Sequence, residues 1–476
     1  ENALSKVKDE KGMKRIEKFL TKGPCPACHG TRFNERALST KLMGKNIAEV
    51  CAMTLSELVV WVQKIPGQMP SEIEEMAQSI VNEFLRTAER LTNLGLSYLS
   101  LDRAGSTLSN GELQRVQISR AVRSDTTGVL YVLDEPSIGL HPYNVDGLMK
   151  IVRELVDRKN SVVLVDHDPR ILMDADQLIE IGPGAGKEGG RIVTQGTPLE
   201  AEKNPHSLIG PYLSGKESLK VRSRATEKDM FENGSIRIKT KPFYTVKALD
   251  VSIPKGRMIA VTGVSGSGKT SLVIECLVPA LQAVIQGTKL PEHVDSIEAK
   301  GIQSVKVIDS KPIGANVRST VATYDGVFDD LRKLFARTAD AKAKGLTAGD
   351  FSYNTGKLRC PVCDGTGIIT MDVQFLPDVD TICPSCGGSR YGKDAYDILW
   401  KSKEKDSVSV SLPGLLKLTV EEAAGILHEE TKIAKQLKIL QDLGVCYLTL
   451  GEATPALSGG EAQRLKLAYE METPQQ

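Results

Sequence analysis

The sequence predicts an α/β fold that contains two related units and a small β-hairpin module held by a metal. Three observations carry this prediction: a glycine-rich loop between an apolar segment and a helix, two closely spaced C-x-x-C pairs, and an internal repeat. A chain of 476 residues corresponds to roughly three domain-sized units. Its 61 basic and 60 acidic residues nearly cancel, so net charge does not indicate a nucleic-acid or membrane partner.

The hydrophobic pattern and the cysteines of the chain indicate its cellular location and a bound metal. No run reaches the roughly 18 apolar residues that a membrane span needs, and the first residues lack the basic start and apolar segment of a signal peptide. We therefore expect a cytoplasmic protein without a membrane partner. Six of the nine cysteines stand in C-x-x-C pairs, which favours metal binding over disulfides. The chain does not begin with Met and ends within a repeated pattern, so we expect a fragment that lacks both termini.

The glycine-rich loop fits the phosphate-loop pattern, in which two glycines separated by four residues are followed by Lys and Ser or Thr. Residues 258–262 predict a short buried strand before the loop, and residues 271–285 predict an apolar-rich helix after it. In that context backbone N–H groups and the helix N-terminus bind phosphate oxygens, Lys269 contacts the terminal phosphates and Thr270 coordinates Mg²⁺. The predicted nucleotide-binding residues are Gly263, Val264, Ser265, Gly266, Ser267, Gly268, Lys269, Thr270 and Ser271.

Two apolar segments nearer the N-terminus end in polar side chains. Residues 129–134 predict a buried strand whose tip delivers Asp134 to Mg²⁺ and Glu135 to an attacking water. Residues 161–165 predict a second strand, which ends just before His167. In a parallel sheet this imidazole would lie at the same edge as the carboxylates and contact a γ-phosphate. We predict that Glu135 and His167 are catalytic.

Two segments with Ser and Glu three residues apart begin amphipathic helices. A Ser followed by Gly at a helix N-terminus offers a hydroxyl and bare N–H groups to an anion. An offset of 349 residues relates the two segments and also relates Leu94–Leu101 to Leu443–Leu450, so the chain contains two copies of one unit. The predicted nucleotide contacts in these segments are Ser109, Gly111, Glu112, Ser458, Gly459, Gly460 and Glu461.

A cysteine-bearing insertion separates the glycine-rich loop from the second of these helices. Two C-x-x-C pairs with 19 residues between them predict a tetrahedral site of four thiolates for Zn²⁺, which are Cys360, Cys363, Cys383 and Cys386. Residues 368–375 between the pairs alternate like a hairpin strand, so the metal would anchor a β-hairpin. Such a site has no open coordination position, which indicates a structural role rather than a catalytic one.

A further pair, Cys25 and Cys28, supplies only two thiolates. We predict a zinc half-site that is completed by residues before position 1, and the nearest other candidates are His29 and Cys51. A turn with two free thiols remains the alternative.

The helix at Ser109, the Asp134–Glu135 strand end, residues 137–141 and His167 resemble an ATP-binding cassette protein. Residues 129–141, 181–186 and 212–216 more closely resemble the UvrA family, the damage-sensing ATPase of the bacterial excinuclease, and the resemblance covers essentially the whole chain. It implies an ATPase that uses ATP, Mg²⁺ and Zn²⁺, binds damaged double-stranded DNA as a homodimer and hands the lesion to a UvrB-type loading partner. Cassettes pair head to tail, so Gly263–Thr270 would share a nucleotide with Ser109–Glu112.

The sequence departs from the family pattern at two positions. Ser310 stands where the family has a Gln that senses Mg²⁺ and the attacking water, and Asn110 stands where Gly is usual. These departures keep open a class II UvrA-like paralogue linked to drug tolerance. A transporter ATPase is disfavoured, because transporter cassettes carry a small helical insert where this chain has its cysteines. Each composite site lacks parts in this chain, so we expect the fragment to be inactive in ATP hydrolysis.

Only the resemblance assigns the zinc module a contact with DNA. Residues 326–406 contain twelve basic and twelve acidic residues, so charge does not favour nucleic acid there. Lys357, Arg359 and Arg390 flank the cysteine pairs and are the candidates for phosphate contacts, with ordinary solvated charges as the alternative.

These observations predict six segments, each with its own role. The first three are residues 1–91 with the first cysteine pair, residues 92–216 with the Asp134–Glu135 strand, His167 and the helix at Ser109 (the first signature helix), and a linker at 217–235. The other three are residues 236–326 with the phosphate loop, the zinc-bearing insertion at 327–430, and residues 431–476 with the helix at Ser458 (the second signature helix).

Overall fold

The computed structural model describes residues 23, 25–122, 126–184, 186–217, 223–309, 313–314, 316–371, 379–402 and 408–472. The chain divides into two compact units. Unit 1 comprises Glu1–Leu178 and Gln195–Gln303, and unit 2 comprises Ile179–Thr194 and Ser304–Gln476. Helices and strands mix in both units, which confirms the predicted α/β class.

Unit 1 contains the longest helix among the described residues, Ser71–Asn93. Pro70 precedes it and Pro66 begins a short 3₁₀ helix, so the two prolines separate it from the helix Leu55–Val62. The preceding helix begins at Thr54, whose hydroxyl and backbone pair reciprocally with Glu57. The helices of unit 1 are Glu35–Leu38, Ile47–Ala52, Leu55–Val62, Pro66–Gln68, Ser71–Asn93, Gly105–Thr107, Asn110–Val122, Pro142–Asp157, Pro169–Asp174, Pro198–Lys203, Gly210–Leu213, Ser271–Leu277 and Val278–Gln286.

The strands of unit 1 form three small sheets. Leu130–Asp134 and Ser161–Val165 pair in parallel, with Leu130 opposite Ser161 and Asp134 opposite Val165. Ser235–Thr240 lies between two antiparallel neighbours, Asp250–Pro254 and Val294–Glu298. A two-residue hairpin joins Lys41–Leu42 to Lys45–Asn46.

The helix Pro142–Asp157 covers one face of the parallel pair. Leu148, Ile151 and Leu155 are fully buried on it and pack in one apolar cluster with the inward residues of both strands. Gly147 allows this helix to cross Ser71–Asn93 closely, because a Cβ at position 147 would lie 2.0 Å from the carbonyl oxygen of Asn93. The parallel pair is therefore anchored from one side.

Two strand predictions need correction. Residues 258–262 adopt no regular strand, and Met258 is 86% exposed rather than buried. A strand persists only when a neighbour takes up its backbone hydrogen bonds, and no described strand pairs with this segment. Residues 130–134 do form a strand, but Leu130 and Val132 are 59% and 63% exposed, so only one face of that strand is buried.

Unit 2 has a helical core with two short hairpins. The largest buried cluster of the described residues lies here and includes Phe335, Phe351, Leu437 and Leu465. The helices of unit 2 are Gly186–Glu188, Val321–Asp325, Val327–Ala336, Ala339–Ala343, Lys393–Ala395, Leu412–Leu416, Val420–Ile426, Thr431–Asp442, Thr454–Ala456 and Gly459–Glu472. Its strands are Ile368–Met371 paired with Val379–Ile382 and Leu399–Lys401 paired with Ser409–Ser411, and Leu178–Gly182 pairs with Arg191–Gly196.

Candidate nucleotide site and zinc centre

The phosphate loop Gly263–Thr270 is a turn whose lysine, Lys269, donates hydrogen bonds to the backbone at the start of the same loop. The Nζ of Lys269 donates to the carbonyl oxygens of Gly263 at 2.6 Å and Val264 at 2.8 Å. Gly268 has φ +93° and leaves no room for a side chain, because a Cβ there would lie 2.9 Å from the Oγ1 of Thr245. Within the described residues Lys269 forms no ion pair, so its charge is available to an anion.

The predicted helix after the loop is confirmed, but it begins as a π-helix. Ser271–Leu277 has the wider turn, and Val278–Gln286 continues as an α-helix that ends at Gly287 in the left-handed conformation. π-turns occur often at functional sites. This one begins directly after Thr270, the predicted Mg²⁺ ligand.

The first signature helix, Asn110–Val122, begins with a capping box. The backbone N–H of Ser109 donates to the Glu112 carboxylate at 2.7 Å, and the Glu112 N–H donates to the Ser109 hydroxyl at 3.3 Å. This exchange explains why Ser and Glu stand three residues apart. A Cβ at Gly111 would lie 2.8 Å from the carbonyl oxygen of Ile138, so the helix packs directly on the loop after Glu135.

Tyr98 is a site residue that the motif search missed. Its hydroxyl donates a very short hydrogen bond to Glu112, and Arg103 lies 3.7 Å from the same carboxylate. Burial would raise the pKa of Glu112, but the bonds from Tyr98 and Ser109 outweigh it and lower the pKa below the ordinary value. The signal was present in the repeat, where tyrosine recurs as Tyr447 at the same offset.

The two predicted catalytic residues follow neighbouring parallel strands. Glu135 has φ +46°, in the left-handed region that non-glycine residues rarely occupy, and its N–H donates to Val165 at 2.7 Å. The Asp166 carboxylate accepts from the Ser137 hydroxyl at 2.9 Å and from the His167 N–H at 2.7 Å. Asp166 thus connects the loop after Glu135 to His167, and it was not among the predicted site residues.

The second signature helix, Gly459–Glu472, repeats this arrangement in unit 2. The Ser458 N–H donates to Glu461 at 2.7 Å, the Glu461 N–H donates to Ser458 at 3.3 Å, and the Tyr447 hydroxyl donates to Glu461 at 2.7 Å. Of the predicted site residues, Ser310 alone lies outside the described residues. Gly459 and Gly460 are exposed in the first turn of the helix.

The four cysteines of the insertion converge into one cluster. Their sulfur atoms all lie within 4.8 Å of one another. Cys360 and Cys383 are 4.0 Å apart, and Cys363 and Cys386 are 3.7 Å apart. Tetrahedral zinc with bonds of about 2.3 Å places sulfur atoms about 3.8 Å apart, so the cluster fits Zn²⁺. The hairpin Ile368–Met371 with Val379–Ile382 leaves this cluster as predicted, and the residues between its strands lie outside the described residues.

The backbone after each cysteine pair adopts the same turn. Asp364 and Gly365 have φ +49° and +78° after Cys363, and Gly387 and Gly388 have φ +56° and +82° after Cys386. His29 and Gly30 have φ +48° and +91° after Cys28. Backbone N–H groups of Cys28 and Ala27 lower the pKa of the Cys25 thiol. The isolated pair therefore has a knuckle conformation, and its metal binding stays a prediction.

The three predicted DNA contacts have different surroundings. Lys357 is 80% exposed, with Asp350 at 3.6 Å, and Arg359 is 39% exposed, with Asp364 at 3.0 Å. The structure does not support the prediction for Arg390, which is only 7% exposed. Its guanidinium donates to the carbonyl oxygens of Val317 and Thr366 at 2.9 Å and stacks over Tyr353, so it braces the zinc module from inside.

Comparison with known proteins extends the match beyond these motifs. The chain is 40% identical to UvrABC system protein A of Thermus thermophilus over 467 residues, which are 97% of this chain and 48% of the relative. It is 41% identical to UvrABC system protein A of Staphylococcus aureus (strain COL) over 461 residues, which are 96% of this chain and 47% of the relative. The crystal structure of UvrA2 from Deinococcus radiodurans superposes with a TM-score of 0.87 at 34% identity, covering 98% of this chain and 57% of that one. No family model matches the chain.

A phosphate loop and two capped signature segments on an α/β framework define an ATP-binding cassette protein. The chain belongs to the UvrA family of these proteins. It spans about half the length of the curated relatives it matches. No described helix is both long and apolar enough to cross a membrane.

Proposed function

We propose that the chain provides half of an ATP-dependent DNA-damage recognition subunit of nucleotide excision repair. The observation that carries the proposal is the presence of a phosphate loop and a signature helix in unit 1, connected through Tyr98, in a chain 40% identical to UvrABC system protein A. ATP binding and hydrolysis change the grip of the protein on distorted duplex DNA. The chemistry is phosphoryl transfer to water, and DNA is not cut by this subunit.

The nucleotide binds at Gly263–Thr270. Lys269 exchanges its two carbonyl acceptors for the terminal phosphates, and the backbone N–H groups of the loop bind the remaining oxygens. The Thr270 hydroxyl would hold Mg²⁺ at this loop, and Asp134 would hold Mg²⁺ at the other composite site; the ion would neutralise phosphate charge. An uncompensated lysine at the start of a helix supports an anionic ligand.

Hydrolysis depends on Glu135 and His167. Glu135 accepts the proton of the attacking water, and His167 contacts the γ-phosphate. Asp166 fixes the positions of the two segments relative to each other, because its carboxylate accepts hydrogen bonds from Ser137, two residues after Glu135, and from the backbone of His167. Each ATP of this family lies between the phosphate loop of one copy and the signature of the other, so Glu135 and His167 would act on a different nucleotide from the one bound at Gly263–Thr270.

The zinc module holds the DNA-facing surface. Cys360, Cys363, Cys383 and Cys386 hold a structural Zn²⁺, and Lys357 and Arg359 contact backbone phosphates beside it. The exposed Lys357 side chain supports this assignment, since an exposed lysine can turn toward a phosphate. The protein acts in the cytoplasm as a homodimer and transfers the lesion to a UvrB-type loading partner.

The decisive measurement compares a duplex that carries one site-specific fluorescein adduct with the same intact duplex, each with and without Mg-ATP. Fluorescence anisotropy on the complete protein should show tighter binding of the adduct duplex and a change in that preference with ATP. Equal affinity under all four conditions would overturn the proposal. A Lys269→Met variant should abolish the dependence on ATP while DNA binding persists.

The phosphate contacts have their own matched control. Lys357→Ala with Arg359→Ala should weaken DNA binding about five-fold and reduce its salt dependence. Lys342→Ala with Lys435→Ala removes two exposed lysines of the same unit far in sequence from the cysteine pairs and should leave affinity unchanged. Equal losses in the two double variants would exclude a specific role for Lys357 and Arg359.

A UvrA-like paralogue linked to drug tolerance is the second candidate, favoured by the match to UvrA2. Such a protein would bind ATP and DNA without preferring the adduct duplex, so the same four-condition measurement separates the two. The ATPase subunit of a transporter is the third candidate, and the zinc module between phosphate loop and signature disfavours it.

A further inference from the structure

One side chain joins the phosphate loop to the first signature helix. Gly266, in the middle of the loop, has φ +78°. A Cβ built on it would lie 2.3 Å from the Cδ1, 2.4 Å from the Cγ and 2.7 Å from the Cε1 of Tyr98. The tyrosine ring therefore lies directly on the backbone of Gly266, and no residue larger than glycine fits beneath it.

The other end of Tyr98 is fixed to the signature. Its hydroxyl donates to Glu112, whose carboxylate also accepts from the Ser109 N–H at 2.7 Å. Tyr98 therefore connects the backbone of Gly266 to the cap of the signature helix through a rigid aromatic ring. Tyr98 has only two side-chain torsions, and hydrogen bonding and packing restrain both ends.

A buried charge lies beside this link. Arg115 is only 3% exposed, and its Nε and Nη1 have no hydrogen-bond partner among the described residues. Its Nη1 lies 3.3 Å from the point where a Cβ of Gly111 would be. Arg115 therefore lies beside the first turn of the signature helix, where its charge interacts with Tyr98 and with the Glu112 carboxylate.

In the second copy of the unit, the corresponding arginine and tyrosine have different partners. Arg464 corresponds to Arg115 and donates to the carbonyl oxygens of Gly444 at 3.2 Å and Gly460 at 3.3 Å. Tyr447 corresponds to Tyr98, and its Cβ lies 3.3 Å from the Cβ position of Gly186 instead of on a phosphate loop. Two copies of one sequence pattern thus have different surroundings, and only the first tyrosine contacts the loop in the described part of the chain.

We propose that Tyr98 is a positioning residue for the nucleotide: its ring sets the conformation of Gly266, and its hydroxyl couples that conformation to Ser109 and Glu112 of the signature. The inference rests on the proposed binding of ATP at Gly263–Thr270. A phosphate bound to the loop then holds the signature cap in place, and displacement of the cap loosens the phosphate.

The test measures Mg²⁺-dependent binding of N-methylanthraniloyl-ATP to the complete protein by fluorescence. Tyr98→Ala removes ring and hydroxyl and should weaken binding about tenfold, whereas Tyr98→Phe keeps the ring and should weaken it only about threefold. Tyr143→Ala removes a tyrosine of the same unit that is 78% exposed and should have no effect. Circular dichroism checks folding, and Tyr98→Leu replaces the alanine variant if that variant does not fold.

The outcomes separate this inference from the proposed function. Failure of the wild-type protein to bind the analogue would overturn both. Binding by the wild type with unchanged affinity in Tyr98→Ala would overturn the positioning role alone. Tighter binding by Tyr98→Ala would also overturn it, since the ring would then obstruct the loop. The graded loss with rescue by phenylalanine is the expected result, because a merely structural tyrosine would lower the unfolding temperature without this order of affinities.

Discussion

The hydroxyl of Tyr447 donates a 2.7 Å hydrogen bond to the carboxylate of Glu461, at the cap of the second signature helix. Burial would raise the pKa of Glu461, but the bonds from Tyr447 and Ser458 outweigh it and lower the pKa below its ordinary value. The ionised carboxylate therefore stabilises the folded state. A carboxylate with a lowered pKa contributes its stability above the unfolded pKa and loses it as pH falls through the folded pKa.

Glu461→Gln should accordingly lower the thermal midpoint of unfolding by about 2 °C at pH 7. The difference from the wild type should shrink as pH falls through the lowered pKa of Glu461, because the wild-type carboxylate then becomes protonated. Calorimetry between pH 3 and 7 measures this difference. Glu421→Gln, at an exposed position, serves as the control. A difference that stays constant across the range would contradict the assignment.

Gly365 and Gly387, which follow the two cysteine pairs of the cluster, differ in the space around their Cβ positions. A Cβ at Gly365 would lie 1.8 Å from the carbonyl oxygen of Tyr353, at φ +78°. Gly387, at φ +56°, has nothing within 4 Å of its Cβ position. We expect Gly365→Ala to lower the free energy of unfolding of unit 2 by at least about 3 kcal/mol, and Gly387→Ala by about 1 kcal/mol from backbone strain alone. Urea denaturation followed by tyrosine fluorescence measures both, and equal losses would be unexpected.

Removal of the metal should destabilise the hairpin module. Cys360→Ser should reduce the zinc content of the purified protein by one ion per chain and lower the thermal midpoint of unfolding, because the four thiolates close one site. Cys446→Ser, at a half-buried position outside every predicted zinc site, should leave the zinc content unchanged. Zinc content is read by atomic absorption. Retention of the full content in Cys360→Ser would show that the cluster does not bind the ion.

Asp166 connects the two segments that carry the predicted catalytic residues Glu135 and His167 through ordinary hydrogen bonds. Its carboxylate accepts from Ser137 and from the backbone of His167 and Asp168. In the complete protein, Asp166→Ala should lower the free energy of unfolding by about 2 kcal/mol and abolish ATP hydrolysis while nucleotide binding persists. Steady-state ATPase assays and binding of the fluorescent analogue separate these effects. Asp176→Ala, whose side chain is 79% exposed on the same unit, is the matched control.

The sequence by itself determined the local features of this protein, namely the helix caps, the cysteine turns and the helix after the phosphate loop. Ser109 and Glu112 form the expected cap because three residues of helix bring a side chain back to its own N-terminus. The thiolates Cys360 and Cys383 meet because each C-x-x-C turn is locally encoded, and a hairpin between the pairs brings the turns together. The helix after the phosphate loop follows from its apolar spacing.

Only the tertiary structure decided which residues meet across the chain. Residues 258–262 carry a strand pattern, yet they form no strand because strand formation needs a partner that composition does not specify. Arg390 looked like a surface charge beside a knuckle, but packing buries it over Tyr353. Tyr98 carried no motif, and its place between Gly266 and Glu112 depends on folding that brings together positions far apart in the sequence. Local hydrogen bonds are encoded by neighbours in the sequence, whereas burial and long-range contact are properties of the whole packed unit.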